Sequence, residues 1–257
     1  MWRLASSLLY VSPFLPAIPA QAEVTGVFDL PVEEAIDLEI SVDGTLFILS
    51  PGIPHLYMLA PDGRVSALDL SEVSVPGGMC LVDERDFYVS DALSGTIFRF
   101  GSSGEVLEEL PAPGRPGDVT LEGLSLWYVA RNEGSVRAPG VQGSVQGVVQ
   151  GIELFQIPAS CEGTLSSSAQ EVLYSSEGGA WLLSPGEEPV LVTDAPSATI
   201  SRGGIIILDT AEGLVFSAVG DTLAVLEPER WNRISSSPDG GTVILWSRGE
   251  PGALVLR

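Results

Sequence analysis

Short apolar runs, each four to six residues long and separated by Gly, Asp, Ser or Pro, recur along almost the whole chain. The clearest unit is residues 76–110, PGGMCLVDERDFYVSDALSGTIFRFGSSGEVLEEL, with apolar runs at Met79–Val82, Phe87–Ser90, Thr96–Phe100 and Val106–Leu110. Each run has strand length, is rich in β-branched or aromatic residues, and is bounded by turn formers. Four such strands in so short a span predict an antiparallel meander, which cannot bury both faces alone and needs neighbours.

The neighbours follow the same plan. Residues 35–70 give AIDLEIS, TLFILS, HLYMLA and RVSALDL, and residues 117–155 give GDVTLEG, LWYVAR, a long Gly/Val/Gln-rich excursion and IELFQI. Residues 160–193 and 197–227 each supply four more runs, whereas residues 231–257 supply three and the sequence ends. A spare run, VTGVFDLP at 24–31, precedes the first full unit and matches the fourth runs of the others. A ring resolves the mismatch: the spare run becomes the outer strand of the last unit, beside Ala253–Leu256, and no open end remains. The expected fold is all-β: a six-bladed propeller of four-stranded antiparallel blades. First runs are small and polar-tinged (GTLSS, ATISR, RISSS), as suits strands crowded round an axis, whereas second runs (LFILS, FYVSD, IIILD, VILWS) are apolar enough to be buried on both faces.

The residues of blade 2 resemble a repeat of the NHL type: Pro76-Gly77-Gly78, then Tyr88-Val89-Ser90-Asp91, then Ile97 and Arg99-Phe100, then Gly104. SVDG at 41–44 and SPDG at 237–240 are similar to the turn between the first two strands in NHL and TolB-like propellers. The resemblance implies a six-bladed propeller over the mature chain and little about activity, because such propellers host both enzymes and scaffolds.

Composition alters this picture in three places. The formal net charge is −22 and all twelve basic residues are arginines, which argues against nucleic-acid and anionic-membrane partners. Residues 1–22 read as a secretory signal peptide, with Arg3, an apolar stretch from Leu8 to Ile18 and an Ala20-Gln21-Ala22 end; residues 23–257 are then one domain, periplasmic or secreted, without a membrane span. Cys80 and Cys161 are expected on innermost strands two blades apart, farther than the roughly 7 Å Cα separation that a disulfide tolerates, so two small buried hydrophobes are the expectation and a disulfide in an oxidising compartment the alternative.

Catalytic signatures are sparse. His55 is the one histidine, which precludes a His-rich zinc site, and no G-x-S-x-G turn accompanies it. Lactonases on six-bladed propellers gather carboxylates and asparagines round a divalent ion at the channel mouth, and the corresponding oxygen donors in the loops before first strands would be Glu34, Asp118 and Glu162, with Glu33 and Asn232 nearby. Their spacing departs from that pattern, so the expected cofactor is none, with Ca²⁺ as the alternative. Trp231, Asn232 and Arg233 form a cationic-aromatic group expected at the channel mouth, and residues 133–151 an insertion in blade 3. The resulting expectation is a non-catalytic scaffold that binds a protein, peptide or glycan, with a metal-dependent lactonase or hydrolase as the alternative.

Overall fold

The computed structural model describes residues 24–53, 55–83, 85–139, 152–157, 162–168, 171–184, 186–247 and 251–257. They form six four-stranded antiparallel sheets. Blade 1 is Asp37–Ile40, Leu46–Leu49, Leu56–Leu59 and Val65–Leu68, counted from the axis outward. Blade 2 is Pro76–Leu81, Phe87–Asp91, Thr96–Phe100 and Val106–Pro111. Blade 3 is Pro116–Glu122, Ser125–Ala130, Ser135–Ala138 and Ile152–Gln156, and blade 4 is Thr164–Ser168, Glu171–Ser176, Gly179–Leu183 and Val190–Thr193. Blade 5 is Ser197–Ser201, Gly204–Asp209, Leu214–Ser217 and Thr222–Val225.

Blade 6 is the closure. Arg233–Ser236, Val243–Trp246 and Gly252–Leu256 pair in order, and the N-terminal strand Val24–Asp29 adds antiparallel to the last of these, with Val27 opposite Leu254 and Phe28 opposite Ala253. The inner strands neighbour one another in sequence, and that of blade 6 returns to that of blade 1. The six-bladed ring predicted from the unpaired run at 24–31 is the observed fold.

Burial follows from position in the blade. Second strands lie between adjacent blades: Leu46–Leu49, Phe87–Asp91 and Val243–Trp246 are buried along their full length. Outer strands face solvent, as at Val65–Leu68 and Val190–Thr193. The core is accordingly divided among the blade interfaces. At the closure, Leu38, Ile40, Leu46 and Ile48 of blade 1 pack on Ile244, Trp246 and Ala253 of blade 6, with Leu30, Val32 and Ala35 of the connecting segment beneath them. Each fully buried aliphatic or aromatic side chain contributes about 1.5–3 kcal/mol, so the segment that carries the N-terminal strand into blade 1 is fastened by packing as well as by its ladder.

The hairpins at 41–45 and 237–242 share one geometry. The Ser41 and Ser237 carbonyls accept from the Gly44 and Gly240 N–H groups at 3.0 and 2.8 Å, both glycines have positive φ (85° and 76°), and each serine hydroxyl donates to the aspartate two residues on, Asp43 or Asp239. These hydrogen bonds, first those from the serines, hold both carboxyls below the usual aspartate range. The paired sequences are a structural part used twice. In blade 3, the third strand forms at the start of the Gly/Val/Gln-rich excursion, at Ser135–Ala138, so IELFQI supplies the outer strand. Residues 140–151, the signal-peptide reading at 1–22 and Cys161 lie outside the described residues.

Candidate functional site

Each inner strand alternates between side chains that enter the blade interfaces and side chains that face the axis. Asp37, Gly78, Asp118, Thr164 and Arg233 each directly precede a buried apolar residue, respectively Leu38, Met79, Val119, Leu165 and Ile234. Two residues further along, Glu39, Cys80, Thr120, Ser166 and Ser235 face the axis in turn. The wall they make has two unlike halves. Blades 1 to 3 present Asp37, Glu39, Cys80, Asp118 and one hydroxyl, Thr120, and blades 4 to 6 present Thr164, Ser166, Ser167, Thr199, Ser235 and Ser236, with Arg233 at the junction with blade 1.

The two aspartates fasten blades together. Asp37 Oδ1 accepts from the Leu38 N–H at 2.8 Å, and its Oδ2 accepts from the Met79 N–H of blade 2 at 2.7 Å. Asp118 repeats the arrangement one step on: Oδ1 accepts from the Val119 N–H at 2.9 Å and Oδ2 from the Leu165 N–H of blade 4 at 2.6 Å. Gly78 lies between them. A Cβ there would stand 2.6 Å from Asp118 Cα, so only glycine leaves room for the carboxyl of Asp118. Across that gap Asp37 and Asp118 lie close enough to bear on each other's protonation, the charge of Asp37 opposing ionisation of Asp118.

Electrostatics agree with the geometry. Burial, reinforced by the charge of Asp37, pushes Asp118 well above the ordinary aspartate range. Burial and the same charge push Glu39 well above the glutamate range, and Glu39 makes no hydrogen bond among the described residues. Burial also raises Asp37, against the lowering effect of the Met79 N–H, the nearby Asp118 side chain, the Leu38 N–H and the Arg233 charge. The Cys80 thiol is driven up by burial and then by Glu39, Asp118 and Asp37, which keeps it a protonated, weakly nucleophilic group. Asp91, in the second strand of blade 2, is the opposite case. Burial would raise it, yet N–H groups of Leu93 (2.9 Å), Ser74 (3.1 Å) and Val75 (3.0 Å) outweigh burial and hold it below the usual range.

The hydroxyl half links blades by neutral bonds. Ser166 Oγ accepts from the Ile200 N–H of blade 5 at 3.1 Å, Thr199 Oγ1 and Ser236 Oγ bridge blades 5 and 6 at 3.1 Å, and Thr120 Oγ1 donates to Ser167 Oγ at 3.0 Å.

The axis holds a cavity of about 270 Å³ that extends from Asp37, Asp118, Thr164 and Arg233 to the hairpin residues Val82, Gly123 and Pro238. Beyond those same four residues lies a void of only about 10 Å³, lined also by Ile36, Gly77, Arg131, Glu162 and Gly163. Asp37, Asp118, Thr164 and Arg233 line both spaces and so form a partition. The roomy space therefore opens towards the hairpins between first and second strands, at the far end from the loops in which the sequence pointed to ligands.

That displacement explains where the predicted residues fall. Asp118 and Arg233 line the cavity. Glu34 is exposed on the segment before blade 1 and lines neither space. Glu162, with a side chain 62% exposed, borders the small void and pairs with Arg131 at 3.8 Å. Trp231 is buried in the apolar cluster between blades 5 and 6, with the Arg230 guanidinium 4.9 Å from its ring centre, so it serves blade packing rather than the channel mouth. Asn232 is exposed, and its N–H donates to Ser247 Oγ and the Trp246 carbonyl, both at 3.2 Å. The structure thus does not gather Glu34, Asp118 and Glu162 round one point, and no group of three His, Cys, Asp or Glu among the described residues is arranged to hold a metal ion. Asp37 and Glu39 were missed; their signal was the alternation in IDLEIS, which puts both carboxylates on the axial face of an inner strand.

No family model and no curated protein sequence matches the chain. Solved structures match in fold. Selenomethionine-substituted virginiamycin B lyase from Staphylococcus aureus is 8% identical, with 92% of this chain and 99% of that one covered and a TM-score of 0.62. A catalytically inactive histidine-to-alanine variant of virginiamycin B lyase from Staphylococcus aureus, with quinupristin, is 10% identical, covers 88% and 82%, and has a TM-score of 0.60. A streptogramin B lyase structure is 13% identical, covers 90% and 97%, and has a TM-score of 0.59. At these identities the likeness is one of fold.

Proposed function

We propose that this protein is a non-catalytic binding scaffold, exported to the periplasm or the cell exterior, that engages a protein, peptide or glycan partner. The observation that carries the reading is the use of the channel aspartates: all four carboxyl oxygens of Asp37 and Asp118 accept backbone N–H groups, and two of these bonds join blades. Groups so engaged serve the frame rather than a metal or a proton transfer. A lyase reading finds no support in the one histidine. His55 is 4% exposed beside Leu56 in the third strand of blade 1 and does not line the cavity, whereas the inactive lyase variant lacks a histidine. Kinship with NHL and TolB-like propellers rests on the blade 2 residues and the two Asp-Gly hairpins, and export rests on the character of residues 1–22.

The competing reading is a metal-dependent lactonase or hydrolase, favoured only by the convergence of Asp37, Glu39 and Asp118 on one wall. Thermal unfolding in the presence of Ca²⁺, Mg²⁺ and Zn²⁺ separates the two. A site filled at 100 times its Kd would stabilise the fold by about 2.7 kcal/mol. The scaffold reading expects no saturable rise in Tm with any of the three ions, and a saturable rise with one of them would overturn it.

A further inference from the structure

We infer that the axial cavity is a binding site for a small hydroxylated amine, reached from the face that carries the hairpins between first and second strands, with Glu39 as the charge partner of the ammonium group. The inference rests on the binding-scaffold reading and names the chemistry of what the channel admits.

Size and access come first. A cavity of about 270 Å³ lies just below the range typical for drug-sized ligands and suits a single sugar-sized molecule. On the other side of Asp37, Asp118, Thr164 and Arg233 the described residues leave only about 10 Å³, too little for a ligand of that size, whereas the larger space reaches Val82, Gly123 and Pro238.

The wall sets the chemistry. Among the described lining residues Asp37, Glu39 and Asp118 face the space and Arg233 is the one basic side chain; burial disfavours the charge of Glu39 and Asp118, and a cation is the ligand whose own charge offsets that cost. Two of the three carboxyl groups are already held by backbone N–H groups. Glu39 is not: it stands between the buried Leu38 and Ile40, faces the cavity and has no hydrogen-bond partner among the described residues. An ammonium group brings three donors and a positive charge to a carboxyl group that has no partner, and that charge would favour the ionised form which burial alone disfavours. The opposite wall offers Thr164, Ser166, Thr199, Ser235 and Ser236, whose hydroxyls both donate and accept and so match hydroxyls on the ligand. A bare metal ion fits this wall less well, because no three carboxyl groups converge on one point. Thiol chemistry is not part of the site, since Cys80 is a buried, protonated neighbour of Glu39.

The test is isothermal titration of the full-length folded protein at neutral pH with glucosamine, glucose and glucuronate as probes, repeated on Glu39→Gln and Glu162→Gln. Glutamine keeps the shape of the glutamate and removes its charge, and melting curves verify that both variants are folded. The inference expects saturable glucosamine binding with a Kd of about 1 mM or tighter, at least tenfold weaker binding of glucose and glucuronate, and at least a tenfold loss of glucosamine affinity in Glu39→Gln with none in Glu162→Gln. Absence of glucosamine binding, equal binding of glucose, or a loss in Glu162→Gln rather than Glu39→Gln would each overturn it. None of these results depends on the metal titration, so a failure of the amine site and a failure of the scaffold reading are told apart.

Discussion

The two halves of the channel wall solve one problem in different ways. Inner strands of neighbouring blades do not share a ladder, so backbone N–H groups such as those of Met79, Leu165 and Ile200 need acceptors from the blade beside them. Blades 4 to 6 provide neutral hydroxyls, which accept without a charge to desolvate. Blades 1 and 3 provide carboxyl groups, which make shorter bonds (2.7 and 2.6 Å against 3.1 Å) but crowd three acids onto one stretch of wall, where burial disfavours their charge. The acids answer by holding protons, as the raised Asp118 and Glu39 indicate. Asp91 shows that burial alone does not force this outcome: with three N–H donors and no acid neighbour, it stays ionised. What distinguishes the channel acids is their proximity to each other, which a glycine at position 78 permits.

The largest predicted effect opens the ring at the hydroxyl half. Deleting residues 23–31 removes the outer strand of blade 6 and the buried Leu30, and leaves the Gly252–Leu256 strand as a bare edge. Loss of cooperative unfolding by calorimetry, or a fall of at least several kcal/mol in stability, is expected. An unchanged melting curve would contradict closure by the N-terminal strand.

Next is Gly78→Ala. The added methyl meets backbone, Asp118 Cα, at 2.6 Å, which cannot give way as a flexible side chain would. A cost of about 3 kcal/mol or more is expected by denaturant unfolding. At Gly241, in a hairpin of the hydroxyl half, a Cβ has its nearest neighbour at 3.5 Å, and Gly241→Ala should change stability by no more than about 0.5 kcal/mol. Equal effects at the two sites would show that the crowding at Gly78 is not structural.

A smaller contrast compares the acceptors themselves. Asp118→Ala leaves the Leu165 N–H without its partner and should cost about 1–3 kcal/mol, whereas Ser166→Ala, which frees the Ile200 N–H from a longer neutral bond, should cost about 1 kcal/mol.

The smallest effect has the opposite sign. Glu39 has a raised carboxyl, so its contribution to stability is fully present below the ordinary glutamate range and is lost as pH rises through its folded value. Glu39→Gln removes that loss. The variant should melt above the wild type at neutral pH, and the two should converge in acid, as differential scanning calorimetry across pH would reveal. A variant less stable than the wild type at neutral pH would mean that Glu39 has a partner that stabilises its charge.

The sequence carried the architecture well and the site only in part. Turn chemistry such as SVDG and SPDG, the count of runs and the spare strand at 24–31 are local signals, and the fold follows from them. Asp118 and Arg233 were legible because they lie in the first half of inner strands. Trp231 misled because an aromatic flanked by Arg230 and Arg233 reads as a binding surface, whereas its position places it between blades. The open end of the cavity was not legible, since which end of a channel is closed depends on how Asp37, Asp118, Thr164 and Arg233 meet across four blades. Nor was the role of Gly78, which matters only because two carboxyl groups from flanking blades meet over it.

The central claim is that the acidic half of the channel is built from buried carboxyl groups that hold their protons, two of them fastening blades through backbone N–H groups. A ¹³C titration of the Asp and Glu side-chain carboxyl carbons by NMR, with Asp37→Asn, Glu39→Gln and Asp118→Asn used for assignment, tests it most directly. The resonances of Glu39 and Asp118 should titrate well above the ordinary value of about 4, while that of Asp91 titrates below it. If Glu39 and Asp118 titrate together with the exposed carboxylates, the claim fails.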